Sequence, residues 1–368
     1  MRFIITCGGS GGHIVPGLAV ARTLREGGHE VLFVGAPRGL ERDLVPREGF
    51  PIEFVDVRSL SRSFSPRALA QNLGTVVKVA GALGAARQIL RRFRPQAVLG
   101  TGGYASYPAL RAAAKLKIPV LVHESNAFPG VTTRMAAKRA DAILVGMESC
   151  RAAYKRQDRV HVVGTPVRAE FFTADRLRAR EALRLDNRPV VVSIFGSQGA
   201  RDMNRITLEL MKLEGGEWQH IHAAGPKRYD ALCKTAAEGG LVFDGGTGLR
   251  LTGYIHNMAE AAAAADVLIC RAGASTLAEL AAAGRPAVLI PSPNVTADHQ
   301  TANAKMFSGA GGAVFLPEAG LTAETLYRAV KDLLGDQGRR EAMRESLRKL
   351  AAPDSAERIA GLMLKAAK

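Results

Sequence analysis

A glycine-rich run near the N-terminus is the first place where this sequence can do chemistry. Residues 7–13 read Cys-Gly-Gly-Ser-Gly-Gly-His; an apolar stretch precedes them, and a helix-compatible stretch begins at Ile14. A glycine loop between a strand and a helix admits a ligand close to the backbone, and the unpaired N–H groups of a helix start favour an anion such as a diphosphate. His13 lies where the loop meets the helix, so its imidazole is placed to reach a bound substrate.

The spacing of these glycines does not match two other phosphate-binding loops. A dinucleotide-binding loop needs G-x-G-x-x-G and an acid at the end of the next strand. The next strand-like run, residues 31–34, is followed by Gly35 and Ala36, so no acid is present there. A Walker loop needs Gly-Lys-Ser/Thr, whereas Gly12 is followed by His13. The remaining alternative for this loop is a tight turn with a purely structural role.

Two further loops follow strand-like runs in the first half of the chain. Residues 100–104 read Gly-Thr-Gly-Gly-Tyr and offer either a second set of backbone donors or a helix cap at Thr101. Residues 123–126 read His-Glu-Ser-Asn, and these polar groups can orient a hydroxyl or accept its proton. The structural alternatives are an ion pair for Glu124 and a helix cap for Asn126.

The second half of the chain repeats the opening pattern. A buried-strand pattern leads into Gly-Ser-Gln-Gly-Ala at residues 196–200. A third glycine segment follows another apolar run; there Arg271 can add charge for an anion, and Glu279 can accept two hydroxyls of a ribose. Asp-His-Gln at residues 298–300 can hydrogen-bond sugar hydroxyls. The structural alternative for Glu279 and for residues 298–300 is a solvated position on a helix.

Composition limits the class of partner. Lys and Arg number 50 against 34 Asp and Glu, a net charge of +16, so the chain favours anionic partners such as phosphorylated substrates or an acidic membrane surface. Aromatic residues make up only 5% of the sequence, and we expect no nucleic acid partner because there is no pattern of aromatic residues on which bases could stack.

Neither a metal nor a cofactor is expected. The four cysteines are scattered without a C-x-x-C pair, which argues against zinc and against a disulfide framework. No D-x-D motif occurs, so a divalent-ion diphosphate site of that kind is not indicated. The sequence has neither a signal-peptide core nor an apolar run long enough to span a bilayer, and we expect a cytoplasmic protein.

The alternation of short apolar runs with helical patterns predicts an α/β fold with parallel sheets. Residues 165–188 interrupt this alternation and mark a hinge. We therefore predict two Rossmann-like domains that face each other across a cleft, over residues 1–164 and 165–352, with a C-terminal helical pattern at 353–368 that can cross back to the first domain. Strands of the first domain are predicted at 2–7, 30–34, 52–57, 97–100, 119–122, 142–146 and 160–163.

Residues 58–94 interleave eight basic residues with apolar ones. Basic residues beside an exposed apolar face would hold a protein on an anionic leaflet. An ordinary helix that faces the core and has a solvated basic face explains the same pattern equally well.

The motifs, taken in order, resemble a known family. They closely resemble the bacterial undecaprenyl-diphospho-muramoylpentapeptide N-acetylglucosaminyltransferases of glycosyltransferase family 28, peripheral enzymes on the cytoplasmic face of the inner membrane that complete lipid II for peptidoglycan. The resemblance covers essentially the whole chain; small departures are Ser10 for the usual Thr and Ser125 for the usual Gln. It is carried by residues 8–13, 123–126, 196–200 and 271–276.

The resemblance implies the two-domain GT-B fold and an inverting, metal-independent transfer that forms a β-1,4 linkage. The donor is then UDP-N-acetylglucosamine, bound mainly by the C-terminal domain, and the acceptor is lipid I, bound by the N-terminal domain. His13 matches the proposed base, with Glu124 beside it, and Glu279 matches the acid that grips the uridine ribose. The other implied substrate contacts are Ser10, Gly11, Gly12, Asn126, Arg168, Ser197, Ile255, Gly273, Ala274, Ser275, Thr276, Leu277, Ala278 and Gln300.

Two alternative functions stay open at this point. A related GT-B glycolipid synthase would transfer a hexose to diacylglycerol. A non-catalytic protein that binds sugar nucleotides, or a membrane scaffold, would have no need for His13, Glu124 and Glu279 together.

Overall fold

The computed structural model describes residues 1–57, 81–196, 199–243, 246–295 and 298–368. The chain divides into two compact units. The first comprises Met1–Val167 together with Ala352–Lys368, and the second comprises Arg168–Ala351.

The first unit is built on a seven-stranded parallel sheet in the order β3-β2-β1-β4-β5-β6-β7. Its central strands are apolar on both faces because helices cover both sides, as expected for a parallel sheet. The strands are β1 (Arg2–Cys7), β2 (Glu30–Gly35), β3 (Ile52–Phe54), β4 (Ala97–Gly102), β5 (Val120–Glu124), β6 (Ala142–Val145) and β7 (Val160–Val162).

The helices of the first unit include the last helix of the chain, α16, which packs against α1. Ile359, Ala360 and Met363 of α16 are buried in the same core cluster as Leu18 and Ala21 of α1. A short 3₁₀ helix covers Gln157–Arg159. The helices are α1 (Gly11–Glu26), α2 (Glu41–Arg47), α3 (residues 81–93), α4 (Ser106–Lys115), α5 (Val131–Ala137), α6 (Glu148–Arg151) and α16 (Ser355–Ala366).

The second unit is built on a six-stranded parallel sheet in the order β10-β9-β8-β11-β12-β13. The strands are β8 (Val190–Ile194), β9 (Gln219–Ala223), β10 (Leu249–Thr252), β11 (Val267–Cys270), β12 (Ala287–Leu289) and β13 (Ala313–Phe315). The helices are α7 (Glu170–Thr173), α8 (Arg176–Ala182), α9 (Arg201–Glu214), α10 (Tyr229–Glu238), α11 (Met258–Ala264), α12 (Ala274–Ala283), α13 (His299–Gly309), α14 (Ala323–Gly335) and α15 (Gln337–Leu350).

A fully buried polar network joins β8, β9 and α9 in the second unit. The Ser193 hydroxyl lies 2.8 Å from His220 Nε2 and 2.7 Å from His222 Nδ1, and His220 Nδ1 lies 2.6 Å from a Glu214 carboxylate oxygen. Burial lowers the pKa of His222 to about 3, and His220 adds to this shift. These polar groups can be buried because they hydrogen-bond one another.

The basic segment at residues 58–94 is described only from residue 81 onward, so most of the predicted membrane-facing pattern lies outside the described residues. In the described part, Ile89 and Leu90 of α3 are buried in the core, whereas Arg87 and Arg91 are exposed. This part of the segment is therefore a core-facing helix with a solvated basic face. No described helix is long and apolar enough to cross a bilayer.

Each sheet has one point where the strand order reverses, between β1 and β4 in the first unit and between β8 and β11 in the second. Crevices that bind ligands in such sheets open at the carboxyl ends of the strands at this point. The glycine loops that follow these four strands are therefore the places where a site is expected in each unit.

Candidate functional site

The glycine loops after β1 and β4 lie backbone against backbone. A Cβ atom built on Gly103 would lie 2.0 Å from the Gly8 carbonyl oxygen, and one built on Gly8 would lie 2.4 Å from the Ala105 Cβ atom. Gly103 also has a φ of 83°, in the left-handed region that favours glycine. The two loops therefore form one glycine-lined edge where the strand order reverses.

His13 is held at this edge through both its main chain and its ring. The Thr101 hydroxyl donates to the His13 carbonyl oxygen at 2.6 Å. The imidazole lies against Gly102, where a built Cβ atom would come within 2.5 Å of His13 Nδ1. Thr101 does not cap α4, whose N-cap is Ala105; it fixes the turn that carries a partly exposed histidine.

The backbone of the first glycine loop is accessible beside His13. Ser10 is the N-cap residue of α1 and is exposed, and Gly11 and Gly12 are partly exposed. A Cβ atom built on Gly11 would meet no atom of the described residues within 4 Å. The start of α1 therefore offers space and helix-start N–H groups to a ligand.

Glu124 is buried at the end of β5 and organises the loop that follows. Its Oε1 accepts hydrogen bonds from the Asn126 main-chain N at 3.1 Å and from Asn126 Nδ2 at 2.8 Å. Its Oε2 accepts one from the Gly130 N at 2.9 Å. Asn126 does not cap a helix, because α5 has Gly130 as its N-cap. Glu124 thus fixes the orientation of the Asn126 side chain.

His123 has a structural environment. It is fully buried, and its Nε2 donates to the Gly164 carbonyl oxygen at 2.9 Å. Burial lowers its pKa; the Gly164 bond and Glu124 oppose the shift, and His13 adds to it. His13 and Glu124 are therefore both near His123, and the neutral His123 ring helps to hold the end of β5 in place.

Sequence analysis missed a buried acid beneath the first glycine loop. Glu41, at the start of α2, is fully buried and accepts hydrogen bonds from the Gly9 N and the Ala36 N. It comes six residues after the end of β2, so a search for an acid at the strand end does not find it. The available signal is a pair of glycines, Gly35 and Gly39, that leave room for its side chain.

In the second unit the loop after β8 is also a glycine turn. Gly196 and Gly199 have φ values of 84° and 67°, and a Cβ atom built on Gly199 would lie 1.8 Å from the Ala224 carbonyl oxygen. Asn204 Nδ2 donates to that carbonyl at 2.8 Å, which ties α9 to the end of β9. Ser197 lies outside the described residues, so its contact with a ligand stays a prediction.

The loop after β11 leads into α12, whose N-cap is Gly273. Asn303 of α13 is fully buried and donates from Nδ2 to the Ala272 carbonyl oxygen at 3.0 Å, which fixes this loop. Ala274 and Leu277 are buried, so their predicted ligand contacts concern the backbone. The other predicted residues at this helix start are partly exposed: Gly273, Ser275, Thr276 and Ala278.

Arg271 differs from the sequence-based interpretation. Its Nη1 donates to the carbonyl oxygens of Ile290 and Pro291 at 3.1 Å and lies 2.6 Å from Glu318 Oε2. Arg271 is thus already paired with an acid of the same unit. Arg271 therefore fixes the end of β12, and the partner acid is 47 residues away in sequence, beyond the reach of motif spacing.

Glu279 lies one turn into α12 with an unusual protonation equilibrium. Burial raises its pKa from 4.5 to about 7, and the charge of Arg168 opposes the shift. Among the described residues of the second unit, none forms a hydrogen bond or ion pair with the Glu279 carboxylate. A desolvated carboxyl group beside a glycine-capped helix start is typical of a ligand site.

Family models match both units. The glycosyltransferase family 28 N-terminal domain matches residues 3–145, and the family's C-terminal domain matches residues 190–359. The chain belongs to glycosyltransferase family 28. The glycine loops of both units and Glu279 lie within the matched ranges.

Relatives of this family 28 chain match it over nearly its full length. It is 38% identical over 360 residues to the UDP-N-acetylglucosamine--N-acetylmuramyl-(pentapeptide) pyrophosphoryl-undecaprenol N-acetylglucosamine transferase of Desulforamulus reducens, with 96% of each chain covered. The enzyme of that name from Lactococcus lactis is 37% identical over 366 residues, with 99% of each covered. The crystal structure of Acinetobacter baumannii MurG aligns with a TM-score of 0.76 at 26% identity, covering 99% of each chain.

These comparisons confirm the predicted enzyme class and fold. The chain is a glycosyltransferase, and each of its two units has the parallel-sheet α/β architecture of a GT-B glycosyltransferase. The matched ranges include the motifs on which the resemblance rested. The ligand contacts of single residues stay predictions.

Two residues of the family 28 C-terminal domain that are predicted to contact a ligand lie away from the loops after β8 and β11. Ile255 is partly exposed in the loop between β10 and α11. Gln300 is the second residue of α13, and its Oε1 accepts a hydrogen bond from the Ser292 N at 2.8 Å. Asp298, two residues before Gln300, accepts a hydrogen bond from the Thr301 hydroxyl at 2.7 Å. Gln300 therefore fixes the loop after β12, which leaves its amide N–H groups as the atoms for a sugar hydroxyl.

Proposed function

We propose that this chain transfers N-acetylglucosamine from UDP-N-acetylglucosamine to the muramoyl C4 hydroxyl of lipid I, which gives lipid II. The observation that carries the proposal is the match, over 96% of each chain, to a relative whose name describes this transfer. The accessible histidine of the first unit and the desolvated acid of the second fit a two-substrate reaction of this type.

The second unit binds the donor in this proposal. The ionised Glu279 carboxylate accepts hydrogen bonds from two ribose hydroxyls, and Arg168 supplies positive charge near it. The N–H groups at the start of α12 face the diphosphate, with Gly273 leaving the backbone open to it. Ser197, Ile255 and Gln300 complete the predicted donor contacts.

The first unit binds the acceptor and carries the base. Inversion needs a single displacement in which the acceptor hydroxyl attacks the sugar carbon on the face opposite UDP. His13 takes the hydroxyl proton, because an imidazole is the side chain most often used as a general base near neutral pH. Glu124 holds Asn126, and Asn126, Ser10, Gly11 and Gly12 are the residues of this unit for which the resemblance implies a substrate contact. The developing charge on UDP is met by backbone N–H groups and helix starts.

A competition between acceptors tests the proposal against the diacylglycerol alternative. The protein is incubated with labelled UDP-N-acetylglucosamine or UDP-glucose and with a soluble lipid I analogue or diacylglycerol. We expect label only on the lipid I analogue, and only from UDP-N-acetylglucosamine. Label on diacylglycerol would favour the glycolipid synthase, and donor binding without any transfer would favour a non-catalytic binding protein.

Donor affinity is expected to depend on pH through Glu279. Its raised pKa of about 7 means that the carboxyl group is mostly protonated below neutral pH and ionised above it. Only the ionised form accepts both ribose hydroxyls, so affinity for UDP-N-acetylglucosamine should rise about tenfold between about pH 6 and pH 8. Titration calorimetry at several pH values checks this, and Glu279→Gln should flatten the profile. An unchanged slope in that variant would assign the pH dependence to another group.

We propose further that the first unit meets the anionic surface of the cytoplasmic membrane leaflet. The loop before α5 and the outer face of that helix expose Phe128, Val131 and Met135 at 43%, 62% and 45%. The Arg134 guanidinium lies 5.6 Å from the centre of the Phe128 ring, and a groove beside Met135 is lined by Arg111 and Arg139 among others. Apolar side chains flanked by arginines fit an anionic lipid surface.

The double variant Val131→Ser/Met135→Ser is expected to weaken binding to vesicles that contain anionic lipid by about tenfold, because each side chain loses part of its burial in lipid. Cosedimentation with vesicles measures the partition, and calorimetry should show unchanged UDP affinity. Leu213→Ser in the second unit is the matched control, since Leu213 is 42% exposed. Equal losses in both variants would remove α5 as the lipid-facing surface.

A further inference from the structure

Glu41 is a buried acid whose partners are main-chain amides. Its carboxylate is fully buried beneath the first glycine loop, yet no lysine or arginine of the described residues forms an ion pair with it. Its hydrogen-bond donors are two main-chain amides: Gly9 N reaches Oε2 at 3.1 Å, and Ala36 N reaches Oε1 at 2.9 Å. A buried carboxylate is costly unless hydrogen bonds compensate it, so these two bonds are needed in the folded state.

The chain around Glu41 is shaped to admit its side chain. A Cβ atom built on Gly39 would lie 2.0 Å from Glu41 Oε2, and one on Gly35 would lie 2.5 Å from Glu41 Cγ. A Cβ atom on Gly8 would lie 3.0 Å from Oε1. Gly8 follows β1, whereas Gly35 ends β2 and Gly39 lies between β2 and α2, so two neighbouring strand ends together form the space for this carboxylate.

The Glu41 carboxylate binds an amide of the loop after the first strand. In a dinucleotide-binding domain the amides of the loop after the first strand face a pyrophosphate. Here the Gly9 amide, on that same loop, already donates to an anion supplied by the chain. The Gly9 amide is therefore not available to a substrate phosphate, and the loop has its conformation before any ligand arrives.

A short path leads from this anion to His13. Gly9 has a φ of 89° and directly precedes Ser10, the N-cap residue of α1. The Ser10 carbonyl oxygen accepts hydrogen bonds from the His13 N at 3.0 Å and the Ile14 N at 3.3 Å. Movement of Gly9 would therefore move the first turn of α1 and the imidazole with it.

We propose that Glu41 is a positioning residue: its carboxylate is a built-in anion that holds the first glycine loop and, through Ser10, sets the place of His13 for glycosyl transfer. The proposal rests on the proposed function for its effect on turnover. Its structural part, the bond between the carboxylate and the Gly9 amide, stands independently of any substrate.

Glu41→Gln keeps the shape but replaces one acceptor oxygen with an N–H donor that faces an N–H group. We expect kcat to fall by about tenfold to a hundredfold, because a reacting group displaced by about 1 Å loses that much, and the Kd for UDP to stay within about twofold, since UDP is held by the second unit. Glu48→Gln is the matched control; Glu48 is a partly exposed acid paired with Arg22, and its variant should keep wild-type turnover.

Glu41→Ala adds a test by chemical rescue. Formate added to this variant should restore turnover in a saturable manner and should return the Gly9 amide proton, observed by NMR on protein with ¹⁵N-labelled glycine, toward its wild-type shift. Formamide, neutral and of the same size, should do neither. A Gly9 resonance that is the same in wild type, Glu41→Gln and Glu41→Ala would overturn the proposal, as would wild-type kcat in folded Glu41→Gln. If the wild type itself transfers no sugar, the proposed function fails, while the Gly9 shifts still decide the role of the carboxylate.

Discussion

Replacing His13 with alanine should lower turnover by about 10²–10⁴-fold, the usual contribution of a general base, and should leave UDP affinity nearly unchanged. The imidazole lies partly exposed at the glycine-lined edge of the first unit, packed against Gly102, where we propose that it acts as the base. The residues predicted to bind the uridine lie in the other unit, so kcat is the parameter that should respond. Steady-state UDP release with a soluble lipid I analogue measures the loss.

His29→Ala is the control for this variant. His29 precedes β2, so it lies at the opposite end of the strands from the glycine loops. Its variant should keep wild-type kcat. Wild-type kcat in His13→Ala would exclude His13 as the base and would leave Glu124 to be tested as Glu124→Gln.

Replacing Glu279 with alanine should raise the Kd for UDP-N-acetylglucosamine by about a hundredfold or more. Hydrogen bonds to a charged group contribute about 1.5–3 kcal/mol, and the ribose would lose two such bonds at neutral to alkaline pH. At saturating donor, kcat should change little, because the ribose is remote from the reacting carbon. Calorimetry with UDP-N-acetylglucosamine gives the Kd directly.

Glu238→Ala is the matched control for the Glu279 variant. Glu238 is an exposed acid at the end of α10 in the same unit. Its removal changes net charge equally but should leave donor affinity within about twofold, as is usual for exposed charges. If Glu279→Ala bound the donor as tightly as the control, the ribose assignment would be wrong, although the transfer itself would remain untested by that result.

Sequence analysis located the strands of the first unit well. All seven predicted runs contain a strand, and the largest difference is β3, predicted at 52–57 and observed at Ile52–Phe54. These strands are buried on both faces, so each appears as a continuous apolar run between turn signals. The loops after β1 and β4 lie at one edge of the sheet, because these two strands are paired in parallel.

The second sheet was harder to predict because one of its central strands is polar. β9 reads Gln-His-Ile-His-Ala, and its histidines are buried through hydrogen bonds to Ser193 of β8 and Glu214 of α9. No local hydrophobic pattern indicates such a strand. The fold brings Ser193 and Glu214 to the two histidines, and their hydrogen bonds offset the free-energy cost of burying the imidazoles.

The candidate site was predictable where its residues adjoin glycine motifs and unpredictable where long-range partners decide a role. Glu41 was missed because the Gly9 amide that it accepts a hydrogen bond from lies 32 residues earlier in the sequence. The sequence suggested that Arg271 could add charge for an anion, because the motif gives no sign of its partner Glu318. Glu279 was chosen by its position after a glycine loop, and the desolvation that distinguishes it from a surface acid appears only in the folded unit.

The most direct test of the account is acceptor-dependent formation of UDP. Purified full-length protein is mixed with UDP-N-acetylglucosamine and a soluble lipid I analogue in the presence of a metal chelator, and UDP and the disaccharide product are quantified together. We predict one UDP per disaccharide formed, a β-1,4 linkage in the product, and no UDP without acceptor. Donor binding without acceptor-dependent UDP release from the folded protein would contradict the account.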